Sequence, residues 1–193
     1  MSEIECGIME TTLIDNLKTV EDYRALRGRR YPLWLLLLCV ILGTLSECYG
    51  YAALEDFCVR HYAALSERLG IRAKRLPSDS TFRRLFEQLD FHRLSECFNQ
   101  WSVQTLKLET QEWLAVDGKS IKGTVQAHDS SYQNFVNVVS VYSQQQGVVV
   151  ALQQFENAQD SEIKVVEALL SSLKLTNVVF SFDALHCQKK HCS

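Results

Sequence analysis

The chain has 193 residues, 47% of them hydrophobic and 22% charged, which suits one medium globular domain or two small ones with a sizeable core. A net charge of −3 excludes a chain that binds nucleic acid through its overall field and leaves only local basic patches for that role. The seven cysteines are odd in number, irregular in spacing and without a Cys-x-x-Cys pair; Cys39, Cys48, Cys58 and Cys97 lie among apolar residues and read as reduced, buried thiols of a cytosolic protein.

Residues 1–10 read as a loose tail. From Thr12 to about Leu26, Leu13, Leu17, Val20 and Tyr23 recur at helical spacing behind Thr12-x-x-Asp15, a capping-box pattern. The basic turn Arg27-Gly28-Arg29-Arg30 follows, then a helix from Pro32 to about Glu47. Its apolar run, Leu33–Leu45, is shorter than the roughly 20 residues of a spanning helix and lies too far into the chain for a signal peptide, so it is expected to be a buried core helix. A third helix is expected over Tyr51–Leu69, ended by Gly70, with His61 packed and hydrogen-bonded on its apolar stripe. The basic loop with Arg72, Lys74 and Arg75 leads to Pro77-Ser78-Asp79-Ser80-Thr81, a strong helix start, after which Phe82, Leu85, Phe86 and Leu89 form a buried face beside Arg83 and Arg84. A fifth helix is expected over Phe91–Lys107 with Leu94, Phe98 and Trp101 inward. The cations between 72 and 84 fit phosphate contacts and a solvated loop equally well.

Near Glu109 the periodicity changes from helical to strand-like, which sets a domain boundary after residue 108. Trp113-Leu114-Ala115-Val116 runs straight into Asp117-Gly118-Lys119; 135–142 and 148–155 form two further strands joined by a short Gln-Gly turn; 161–173 is helical; Asn177-Val178-Val179-Phe180-Ser181-Phe182 runs into Asp183. The helix allows the fourth strand to lie parallel to the first. Two neighbouring strands ending in acids would bring two carboxylates to one sheet edge, where oxygen ligands suit Mg²⁺. The alternatives are local: Asp117-Gly118 is also a hairpin-turn dipeptide, and Asp183 also suits a helix cap. The tail His186-Cys187-Gln188-Lys189-Lys190-His191-Cys192 crowds its soft ligands together, unlike the two separated pairs of a structural zinc site.

Tyr31-Pro32-Leu33, Pro77-Ser78-Asp79-Ser80-Thr81-Phe82-Arg83-Arg84, Ala115-Val116-Asp117-Gly118-Lys119, Ser161-Glu162-Ile163 and Asp183-Ala184-Leu185-His186-Cys187-Gln188-Lys189, taken together and in order, resemble the DDE transposases of H-repeat-associated insertion sequences. The resemblance runs from about Tyr31 to Cys187. It implies an α+β chain: a transposase-associated helical region, 1–108, followed by an incomplete ribonuclease H-like α/β core, 109–193, of strand-strand-strand-helix-strand order. Asp117 and Asp183 match the family's first two acids, as catalytic residues and metal ligands. In that chemistry two Mg²⁺ or Mn²⁺ ions roughly 3.5–4 Å apart serve the attacking and leaving oxygens of a phosphodiester. The family's third acid, a glutamate on a later helix, has no counterpart before Ser193, and Glu162 and Glu167 come before Asp183. The expectation is a truncated, inactive transposase, with Lys119, Lys122 and Lys189 joining Arg72, Lys74, Arg75, Arg83 and Arg84 as DNA contacts. Insertion-sequence ends would be the partner, in the cytoplasm, with no membrane role and with room for a homo-oligomer. A non-catalytic DNA- or protein-binding remnant and an unrelated ribonuclease H-like nuclease are the rival readings.

Overall fold

The computed structural model describes residues 12–106, 111–126, 134–156 and 159–182. These fall into two compact units, one formed by 12–90 and the other by the chain from Phe91 onward.

The first unit is helical. In α1 (Leu13–Thr19) the expected capping box is present: the Asp15 amide donates to Thr12 Oγ1 at 3.2 Å, and the hydroxyl donates to the Asp15 carboxylate at 2.6 Å. The helix stops well short of Leu26. Two arginines brace the following segment, which includes a short 3-10 turn at Leu26–Gly28, with Arg24 donating to the Asp22 carboxylate and the Tyr31 carbonyl and Arg29 donating to the carbonyls of Asp22 and Arg24. The Arg24 guanidinium keeps the Asp22 carboxyl below its ordinary range.

The core helix α2 (Leu33–Leu45) buries Leu33, Leu35, Leu36, Leu37, Leu38 and Cys39, packed by α1 and by α3 (Tyr51–Arg60). With the turn before it, Leu26–Leu45 is the one described stretch long and apolar enough to match a membrane span by length and composition. The single helix expected over Tyr51–Leu69 is two, α3 and α4 (Tyr62–Leu69), with His61 between them. His61 is exposed, its ring 4.6 Å from that of Phe57, rather than packed in the core. Gly70, at φ 64°, closes α4 as expected. In α5 (Asp79–Phe86), Phe82 and Leu85 are buried, and Glu55 of α3 accepts from the Asp79 amide at 3.0 Å, satisfying one of the helix's unpaired donors.

The second unit is a four-stranded mixed sheet of order β3-β2-β1-β4, formed by β1 (Glu112–Gln126), β2 (Asn134–Ser143), β3 (Val148–Glu156) and β4 (Val178–Phe182). The first three strands are antiparallel neighbours and β4 lies parallel to β1, as the strand-helix-strand crossover requires. The crossover helix α7 (Glu162–Leu173) lays Val165, Val166, Leu169 and Leu173 on Leu114, Val116, Val139, Val141 and Val150.

The helix α6 (Phe91–Thr105), which periodicity groups with the helices before it, packs on β3 instead. Its buried residues are Ser95, Cys97, Asn99 and Ser102, not the expected Leu94, Phe98 and Trp101, which are only half-buried. The reason is the open edge of β3. Asn99 accepts from the Leu152 amide at 2.8 Å and donates to the Leu152 carbonyl at 3.0 Å, replacing a missing strand neighbour, and Ser102 donates to the Val149 carbonyl at 3.4 Å.

Candidate functional site: the acidic end of the β1–β4 ladder

The ladder between β1 and β4 pairs Glu112 with Val178, Leu114 with Phe180 and Val116 with Phe182. Its last pair therefore consists of the residues that immediately precede Asp117 and Asp183. Asp117 is exposed and lies opposite Ser140 of β2. Asp183 and Lys189, like the His/Cys tail, lie outside the described residues.

Asp117-Gly118 is not a turn. Both residues are inside β1, paired with Ser140 and Val139, and Gly118 is not among the glycines with positive φ. The space a side chain at 118 would need is taken by the end of a flexible side chain. A Cβ at 118 would overlap Oε1 of Glu162 and lie 2.7 Å from its Cδ. The first residue of α7 thus rests its carboxylate on the backbone just after Asp117. A carboxylate in the first turn of a helix is favoured by the helix dipole. Two separate stretches of sequence, Asp117-Gly118-Lys119 and Ser161-Glu162-Ile163, meet at this point.

Lys119 is exposed opposite Val138, and Ser120 donates to the Asn137 side chain at 2.8 Å. Lys122 continues β1. At the other end of the strand a third acid is hidden. Glu112 is fully buried, accepting from the Ser143 hydroxyl and from Gln146 Nε2 at 3.3 Å, while the Gln146 amide donates to Ser143 at 2.9 Å. That network ties the start of β1 to the β2–β3 turn. The signal for it was strand alternation, which puts Glu112 in phase with Leu114 and Val116. Among the described residues no group of three or more His, Cys, Asp or Glu is arranged to hold a metal ion.

The basic candidates belong to the helical unit. Arg72, Lys74, Arg75, Arg83 and Arg84 are all exposed. Their loop is held from below by two tyrosines: Tyr31 donates to the Arg75 carbonyl at 2.9 Å and Tyr62 to the Ala73 carbonyl at 2.7 Å. Arg83 stands 3.8 Å from Glu87, with both side chains more than half exposed, a pairing weak enough to yield to another anion.

Residues 14–102 match the family described as DDE_Tnp_1-associated. Over 178 residues, 92% of this chain, the sequence is 25% identical to "Putative transposase YncI" of Escherichia coli O157:H7, covering 45% of that protein. It is equally similar to "Putative transposase YncI" of strain K12, covering 70% of it, and to "H repeat-associated putative transposase YhhI" of the same strain, covering 46%. The chain thus spans about half the length of two of these three relatives. No solved structure matches it. The chain is thus similar to proteins named as putative transposases, one of them H repeat-associated, and its helical region matches a family associated with DDE transposases.

Proposed function

We propose that this transposase-related chain handles the DNA of an insertion sequence, with Asp117 and Asp183 as the acidic edge of a ribonuclease H-like core that holds Mg²⁺ or Mn²⁺. The observation that carries the reading is the parallel pairing of Val116 with Phe182, each the residue before one of the two acids. A divalent ion bound there would steady charge on the oxygens of a phosphodiester undergoing displacement. Asp117, exposed on a strand fixed by β2, fits a hard-cation ligand that leaves room for water and phosphate. Asp117 and Asp183 alone offer few ligands, so an ion held by these two is held weakly.

DNA is the partner in this reading, bound through Arg72, Lys74, Arg75, Arg83 and Arg84, with Lys119, Lys122 and Lys189 as further contacts. A cytoplasmic location and self-association on paired insertion-sequence ends go with that role. A membrane role is not part of it, because Leu33, Leu35, Leu36, Leu37, Leu38 and Cys39 of α2 are buried in the helical core.

The test is DNA affinity as a function of salt. Each phosphate contact should contribute about 0.9 to the slope of log affinity against log salt, so replacing Arg72, Lys74, Arg75, Arg83 and Arg84 by alanine should flatten it. Affinity that ignores salt contradicts the DNA role. A second reading, a non-catalytic DNA- or protein-binding remnant acting through the helical region, is favoured by the family match at 14–102. It would gain if Mn²⁺ bound the chain and Asp117→Asn equally.

A further inference from the structure

We propose that Glu162 is a positioning residue for the acidic edge, setting the place of Asp117 through its seat on Gly118. The inference rests on the reading of Asp117 as a metal ligand. It starts from the way β1 is held where Asp117 leaves the ladder. Up to Val116 the strand has β4 on one side and β2 on the other; in the described ladders, Asp117 and Gly118 have only their β2 partners, Ser140 and Val139. What touches the strand there from the helix layer is the Glu162 carboxylate, in the space a side chain at 118 would need.

Strand alternation decides between direct and indirect action. Leu114 and Val116 are buried beneath α7, and Gly118 is in phase with them; Trp113, Asp117 and Lys119 are exposed in the other phase. The Asp117 side chain therefore leaves the strand on the face opposite Glu162. Glu162 acts through the backbone of residue 118 rather than as a second ligand beside Asp117. The contact also fixes the start of the crossover helix, whose other end leads into β4 and hence towards Asp183. One seat thereby sets both strands that carry the acids.

The test is a set of variants of the full 193-residue chain, each followed by thermal unfolding and by Mn²⁺ titration. Gly118→Ala puts a Cβ where the Glu162 carboxylate sits, so the carboxylate must swing off its seat, and Mn²⁺ binding should weaken by about tenfold. Glu162→Ala removes the same seat, so the double variant Gly118→Ala/Glu162→Ala should bind within about twofold of either single variant, with the two thermal effects strongly non-additive. Glu162→Gln, which keeps the shape, should retain what Glu162→Ala loses. The proposal is overturned if the binding losses or the thermal effects simply add in the double variant, or if Glu162→Gln loses as much as Asp117→Asn. Asp117→Asn in the same titration separates the two claims: unchanged Mn²⁺ binding there sinks the metal reading, whereas thermal coupling between 118 and 162 reports the seat alone.

Discussion

The helical unit and the sheet unit solve the same problem with different materials. The helical unit buries an almost wholly apolar core, Leu33, Leu35, Leu36, Leu54, Phe57, Phe82 and Leu85 among its residues, with Asn16 as its one buried polar residue among those described. The sheet unit buries Ser95, Asn99, Ser102, Glu112, Asn137 and Ser143 beside its valines. Helices satisfy their own backbone and need only an apolar stripe; a sheet has edges and turns whose backbone groups must find partners elsewhere. The sheet unit spends its polar residues there, Asn99 and Ser102 on the edge of β3 and Glu112 on the β2–β3 turn.

The largest effect should come from the apolar side. Phe82→Ala empties a fully buried site and should cost about 3–5 kcal/mol, read by denaturant unfolding; a loss below about 1 kcal/mol would mean that the helical core is loosely packed. Asn99→Ala should cost the sheet unit about 1–3 kcal/mol by leaving the Leu152 amide and carbonyl without partners. Hydrogen exchange at Leu152 should accelerate, and unchanged exchange would show that the edge does not depend on Asn99. Asp22 provides a smaller, pH-dependent contrast. Its pKa is depressed by Arg24 below the ordinary 3.8, so its contribution is fully present above that value and is lost as pH falls through the lower, folded one. Asp22→Asn should flatten acid unfolding of the helical unit in that window and leave neutral pH behaviour similar in shape. At the small end, Glu87→Ala should change stability by no more than about 1 kcal/mol, because its pair with Arg83 is exposed.

The same contrast explains what could be read from the sequence. The capping box at Thr12, the buried faces of α2 and α5, and the strand order with a parallel fourth strand were all legible, because each is a local pattern or follows from chain connectivity. The polar face of α6 was not. Periodicity assigns the apolar residues Leu94, Phe98 and Trp101 inward, whereas the bare edge of β3 selects Asn99 and Ser102. The split at His61 escaped because the apolar spacing continues across it. Of the candidate site, the position of Asp117 directly after the β1–β4 ladder was legible from the run of strand residues before it. The role of Gly118 was hidden because Asp-Gly carries the same local signal in a turn and in a strand, and only the approach of Glu162 from 44 positions along the chain (162 − 118) distinguishes them.

Whether Asp117 and Asp183, which follow the last pair of the β1–β4 ladder, work as one site is read most directly by Mn²⁺-induced broadening of backbone amide resonances in the full chain and in Asp117→Asn. The amides around 116–119 and around 181–183 should broaden together at low Mn²⁺, and both sets should stay sharp in the variant. Broadening at one segment alone, or the same broadening in Asp117→Asn, would contradict a single site.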